Sequence, residues 1–381
     1  MNLFRKISAS SRSKLHLMSL LVCLVFISSC TKTTTGGGDL IGSYNRTELL
    51  QNWVSGYIVP GYETYGAEVT KMEKGIDALC SNGTVHELQN CRVLLDELFL
   101  AWQDIAFLEF GPAGDISLRA QTNVYPIDTG LVQSNISSGV VALESAANFA
   151  AKGIQVFDYL FYEPNFTDEE LVVRLTSEAS KKYLNAVILD LKTNSNYVIT
   201  KWGSYKSEFV ENSKSNADGT SISTVINTFV NHYEAFVRRG KIGIPSGVFN
   251  GFSQQVMPGN SEAFYSGKSI SYVKRSLNSM QNFLSGISIG NGVNGEGLDD
   301  YLLFVQAKKD NVFLSEIILN QFTAIESALL NISSPLSIAV SAEKAGVSKV
   351  YEEMQKLVSH LKVDLTSALG VLVNYADTDG D

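Results

Sequence analysis

An all-α protein of packed helical bundles, interrupted by long irregular loops, is what this sequence predicts, and three observations predict it. Apolar residues recur at three- and four-residue steps over most of the chain. Helix-capping signals stand where those stripes begin, and alternating strand patterns are scarce. The composition agrees: 381 residues, 45% hydrophobic and 18% charged, with a mean hydropathy of +0.05, describe a folded chain with ample apolar surface. They exclude a disordered protein, a collagen-like repeat and a polytopic membrane protein.

Residues 1–29 form the first element. Arg5, Lys6, Arg12 and Lys14 precede an eleven-residue apolar stretch, Leu17 to Ile27, too short to span a bilayer but suited to the core of a signal peptide. Ile27-Ser28-Ser29-Cys30 follows, an aliphatic residue, two small ones and then Cys. This resembles the bacterial lipobox, in which the Cys is acylated and becomes the new N-terminus. An ordinary signal peptide cleaved nearby is the alternative. Lipidation of Cys30 would attach the chain to a membrane, and no other segment reaches the roughly 18 uninterrupted apolar residues of a span. Residues 30–44 read as a polar, Gly-rich tether. With neither an acidic cluster nor an Asp directly after Cys30, the expected location is the bacterial outer membrane, facing the periplasm.

Loss of residues 1–29 removes four of the 30 cations and none of the 39 acids, which leaves 26 against 39, or −13. Such a chain repels phosphate backbones, so nucleic acid is excluded as a partner. Export also places Cys80 and Cys91 in an oxidising compartment. They flank a loop beginning Ser81-Asn82-Gly83, where a disulfide would staple a helical hairpin; two free thiols are the alternative reading. Two Cys without a companion Cys/His pair do not make a zinc site.

The helices follow in order. Thr84 to Glu87 is a capping box opening a stripe through Cys91, Leu95, Leu98, Trp102, Ile105 and Glu109, stopped by Phe110-Gly111-Pro112. Thr167 to Glu170 repeats the signal and opens a long pattern through Leu171, Tyr183 and Leu191. A third stripe from Ile222 to Val237 ends at Arg238-Arg239-Gly240, cations and then Gly. Further patterns cover about 268–286, 297–330 and 342–373. The loops at 110–128 and 240–267 are long enough to carry function or packing. The polar run Ser213 to Gly219 divides residues 45–212 from 213–375, and 376–381 is an acidic tail.

Those interrupted stretches resemble the imelysin-like family of bacterial envelope proteins, also known as insulin-cleaving metallopeptidases. Trp102 with Phe110-Gly111-Pro112 and Tyr125-Pro126 is similar to its Trp, Phe-Gly-Pro and aromatic-Pro segments. Ile244-Pro245 and the run Glu262 to Ser269 resemble its Ile-Pro and Glu-Ala-Tyr-Tyr-Ser-Gly-x-Ser. Leu369-Gly370-Val371 and Asp377 to Asp381 resemble its closing segments. The resemblance implies two helical bundles with a site between them, centred on Gly-x-His-x-x-Glu. The counterpart here is Gly153-Ile154-Gln155-Val156-Phe157-Asp158, with Gln155 for His and Asp158 for Glu. An imidazole is a good ligand for iron, zinc or copper, whereas a neutral amide is a weak one. On a helix Gln155 and Asp158 share a face. They either hold a ligand, point to solvent or join the bundles by hydrogen bonds, and restoring His and Glu is expected to raise metal affinity.

Other candidates are weaker. His86, His232 and His360 are isolated, and no His-Glu-x-x-His motif exists. Tyr265, Ser266 and Ser269 supply hydroxyls beside a Gly turn, and Asp377 to Asp381 begins like a calcium loop but lacks its closing Glu. The expected function is a non-catalytic binding lipoprotein linked to iron or metal acquisition, with a divalent metal or iron as the candidate cofactor and iron-uptake proteins as candidate partners. The alternatives are a metal-dependent peptidase and a structural or glycan-binding envelope module without metal.

Overall fold

The computed structural model describes residues 43–139 and 142–375. It is 71% helical. Helix α1 (Arg46–Asn52) runs through a π-helical segment, Trp53–Ile58, into α2 (Val59–Asn82). Gly83, in the left-handed region at φ 59°, closes α2, and the chain returns as α3 (Val85–Ile105). Two short helices follow, α4 (Pro112–Asp115) and α5 (Leu118–Thr122), then α6 (Thr129–Ser138), α7 (Ile154–Phe161), α8 (Asp168–Leu175) and the 34-residue α9 (Glu178–Glu211). Helix α10 (Ser221–Asn231) continues as a π-helix, His232–Gly243. The remaining helices are α11 (Ser269–Leu284), α12 (Leu298–Phe304), α13 (Leu314–Leu329), α14 (Leu336–Ala342), α15 (Lys344–Ser359) and, after a π-helical segment at His360–Leu365, α16 (Thr366–Leu369).

Two groups of helices pack side by side. The first gathers around α2, α3 and α9, with Leu184, Val187, Leu191, Ser195, Val198 and Trp202 of α9 buried at three- and four-residue steps. The second gathers around α11, α13, α15 and the π-helix His232–Gly243. Helix α3 belongs to the first and also packs on α11, so it is the shared wall. The π-helical segment Trp53–Ile58 lies on the second group: Trp53 stacks on Phe283 at 4.8 Å and donates its indole N–H to that residue's carbonyl at 3.2 Å. Tyr57 donates to the Ser279 carbonyl at 2.9 Å.

Several local expectations need correction. At Thr84 only half the capping box closes, because Glu87 accepts from Asn82 instead of the Thr84 backbone. At Thr167 both arms are present. The pattern opened there breaks at Thr176 and Ser177, where Thr176 turns its hydroxyl back onto the Val172 carbonyl and Ser177 caps α9. Gly240 does not end its helix. The π-helix runs on to Gly243, and Pro245, which lacks an N–H, follows the true end. The stretch 297–330 is split by a hairpin, β1 (Lys308–Lys309) with β2 (Val312–Phe313), whose Asp310 and Asn311 both have positive φ.

Cys80 and Cys91 are free thiols in the structure. The register of the α2–α3 pair explains it. A Cβ placed on Gly75 would lie 3.6 Å from the Cys91 sulfur, so Cys91 faces α2 five residues, or ~7.5 Å of helix, before Cys80. Burial pushes the Cys91 thiol up to about 12, which keeps it protonated.

Candidate functional site

Gly153 precedes α7 at φ 78°, and a Cβ there would lie 2.1 Å from the Thr122 carbonyl oxygen. Only glycine fits, both for the backbone angle and for the close approach to α5. All eight residues of α7 are buried, Gln155 and Asp158 included. Three positions apart, they point at the same neighbour, the turn from Glu262 to Gly267.

Each polar atom of the pair has a partner. Gln155 donates its amide N–H to Asn123 Oδ1 at 2.8 Å, and its Oε1 accepts the Ala263 N–H at 3.2 Å. The two Asp158 oxygens accept the N–H groups of Tyr265 at 2.9 Å and Ser266 at 3.1 Å. Ala263 itself sits at φ 49°. The pair therefore clamps an irregular backbone turn to the first group of helices. Burial pushes Asp158 up to about 6, although the Ser266 and Tyr265 donors hold it down.

The clamp continues inward. Glu262 accepts from Gln103 of α3 at 3.0 Å and from Asn123 at 2.7 Å, and forms a buried ion pair with Lys241 of the π-helix. Ser269 donates its hydroxyl to the Glu262 carbonyl. Gln155, Asn123, Glu262 and Lys241 thus form one buried polar chain between the helix groups. Nearby, Asp104 of α3 takes Arg275 of α11 through two contacts of 2.6 Å, and Asp96 takes Lys268 at 2.7 Å and the Tyr272 hydroxyl at 2.8 Å.

Beside this chain lies a cavity of about 390 Å³. Trp102, Arg119, Tyr125, His232, Phe236 and Lys241 are among the residues lining it. His232 is buried, and burial together with the cations of Arg119 and Lys241 holds its imidazole well below the usual range, so it is neutral. A separate cavity of about 80 Å³ touches Gln155 and Tyr265.

Of the residues singled out in the sequence, Gly153, Gln155, Asp158, Tyr265, Ser266 and Ser269 do come together. Tyr265 and Ser266 contribute backbone N–H groups there, and the Tyr265 ring leans on Tyr159 at 5.0 Å. His86 is exposed, and His360 pairs with Asp364 at 2.8 Å. Cys30 and Asp377 to Asp381 lie outside the described residues. Sequence reasoning missed Gln103, Asn123, Lys241, Arg119 and the carboxylate of Glu262. The available signal was polar residues inside apolar stripes, Gln103 beside Trp102 and Lys241 beside Ile242.

The metal that the motif implies does not suit the residues present. Both Asp158 oxygens and the Gln155 oxygen already accept backbone hydrogen bonds, and among the described residues no group of three or more His, Cys, Asp or Glu is placed to hold an ion.

Fold and site together define a two-bundle helical protein whose interface carries a buried polar clamp and an adjoining cavity. The chain belongs to the imelysin family, peptidase family M75, whose model matches residues 58–364. Two solved structures share the fold. One, from Parabacteroides distasonis ATCC 8503 and named as an iron-regulated protein A precursor, has a TM-score of 0.67 at 14% identity, over 89% of this chain and 97% of the other. The other, an imelysin-like protein from Psychrobacter arcticum 273-4, has a TM-score of 0.66 at 16% identity, over 87% and 97%. No curated protein matches the chain.

Proposed function

We propose that this protein is a non-catalytic binding lipoprotein of a bacterial envelope, anchored by a lipid on Cys30 in the outer membrane, facing the periplasm, and serving iron or metal acquisition. The observation that carries the non-catalytic reading is the occupation of the motif. Gln155 and Asp158 bind the backbone of residues 263–266, so neither is available to activate a water for peptide hydrolysis. The adjoining cavity supports a binding role. The link to iron draws on the name of the Parabacteroides distasonis neighbour.

Digestion of insulin and casein by the purified chain, with zinc and iron added in turn, tests the first part. The expected outcome is no cleavage; metal-dependent cleavage that co-purifies with the chain would restore the peptidase reading. Growth of a deletion strain under iron limitation tests the second part, with slower growth expected than in the parent.

A further inference from the structure

The cavity of about 390 Å³ falls in the usual size range of small-molecule sites. Its walls are of two kinds. Trp102, Tyr125, Phe236 and Ile244 supply aromatic and aliphatic surface. Arg119 and His232 supply polar atoms that the fold leaves unsatisfied: Arg119 Nε and both ring nitrogens of His232 are buried with no hydrogen-bond partner among the described residues. Buried polar groups are nearly always paired, so three unpaired nitrogens on two residues that line one cavity point to a ligand.

The Phe236 ring touches both side chains. The Arg119 guanidinium lies 3.7 Å from its centroid, and the His232 ring lies 5.8 Å away, inclined by 21°. Phe236 is 36% exposed, so the ring that both side chains touch reaches the surface. His232 and Phe236 both ride on the π-helix His232–Gly243, a geometry that recurs at functional sites.

Charge narrows the ligand class. Lys241 is already matched by Glu262. Glu109, the acid of the lining, turns both oxygens to the Arg119 backbone N–H, at 3.2 and 3.0 Å. One guanidinium N–H group of Arg119 is taken by the Ala106 carbonyl at 2.9 Å, which leaves Nε as a fixed donor. A planar guanidinium with a free donor suits a carboxylate, and the aromatic walls suit a flat apolar body. We propose that this cavity binds a small organic acid with a planar apolar body, its carboxylate held by Arg119 and His232 and its body against Trp102 and Tyr125. The proposal rests on the binding-protein reading and names the ligand class for it.

The test is calorimetric titration of the full chain with 2-naphthoate and with its neutral counterpart 2-naphthamide. Naphthoate is expected to bind more tightly by about tenfold or more, the scale of one hydrogen bond to a charged group. Arg119→Met should erase that preference. Ala235→Phe, which leaves every polar group in place and narrows the cavity, should weaken both probes, and it carries the test if Arg119→Met fails to fold. Equal affinity for the two probes, no binding of naphthoate, or unchanged affinity in Ala235→Phe would overturn the proposal. Each of these outcomes leaves the non-catalytic reading standing, whereas insulin cleavage would remove that reading without altering the titration.

Discussion

Asp158 and Ser266, 108 positions apart in the chain, are joined by a carboxylate that accepts the Ser266 N–H at 3.1 Å while its second oxygen takes the N–H of Tyr265. The shorter acid fits because the acceptors must meet main-chain atoms directly, and one more methylene would drive the carboxylate into the turn. Asp158→Ala removes both acceptors and leaves two part-buried N–H groups without them. We expect a loss of about 2–5 kcal/mol of stability, measured by urea unfolding. A loss under ~1 kcal/mol would mean that the turn finds other partners.

Restoring the family pair, Gln155→His with Asp158→Glu, removes the clamp and overpacks the turn. The expected cost is ~1–3 kcal/mol, with no tight binding of zinc or iron, because the nearby carboxylate of Glu262 is already held by Lys241, Gln103 and Asn123. Calorimetric titration of the double variant decides this. Submicromolar zinc affinity would show that the site still accepts a metal once the donors return.

Asp158 also sets a pH dependence. Its folded value, about 6, lies above the ordinary 3.8, and Asp299, half-buried beside Asp300, is likewise pushed up to about 6. A carboxyl raised on folding keeps its proton in the native state while the unfolded chain loses it. Stability therefore falls as pH rises from about 4 to about 6, by up to ~1.4 kcal/mol per pH unit for each group, and levels off above. Asp158→Asn should make that decline shallower in chemical denaturation at stepped pH. An unchanged slope would refute the assignment.

How much of this was legible beforehand depends on the residue. Helices α3, α9 and α11 follow from apolar spacing, since a stripe at three and four names its own buried face. Gly153, Gln155 and Asp158 were found because the motif keeps its spacing, but their role was not, since the partner atoms are backbone N–H groups of residues 263–266, which a sequence does not place. Lys241 and Glu262 lie 21 positions apart and meet only because the π-helix extends past Gly240. Its wider turns follow no side-chain period that could be read in advance.

Cys30→Ala concerns the anchor. Labelled fatty acid should enter the wild-type chain and not the variant, and the variant should leave the membrane fraction. Equal labelling of both would defeat the lipid assignment.

The ion pair of Lys241 and Glu262 gives the sharpest test of the inner network. Both side chains are almost fully buried, at 4% and 1% exposure, so removal of one leaves the other without its counter-charge. The consequences are unequal. Lys241→Met strands a carboxylate that still has the Gln103 and Asn123 donors. Glu262→Gln strands an ammonium whose affinity for a proton is already lowered by burial and by Arg119 nearby. Each single change is expected to cost about 3–5 kcal/mol, the usual penalty for one half of a buried pair. The double variant, Lys241→Met with Glu262→Gln, buries no charge and keeps an amide for Asn123 and Gln103. It should cost less than the sum of the two by ~0.5–3 kcal/mol, measured as a double-mutant cycle in urea. Additivity within ~0.3 kcal/mol would show that the two residues act independently and that the clamp ends at Asn123.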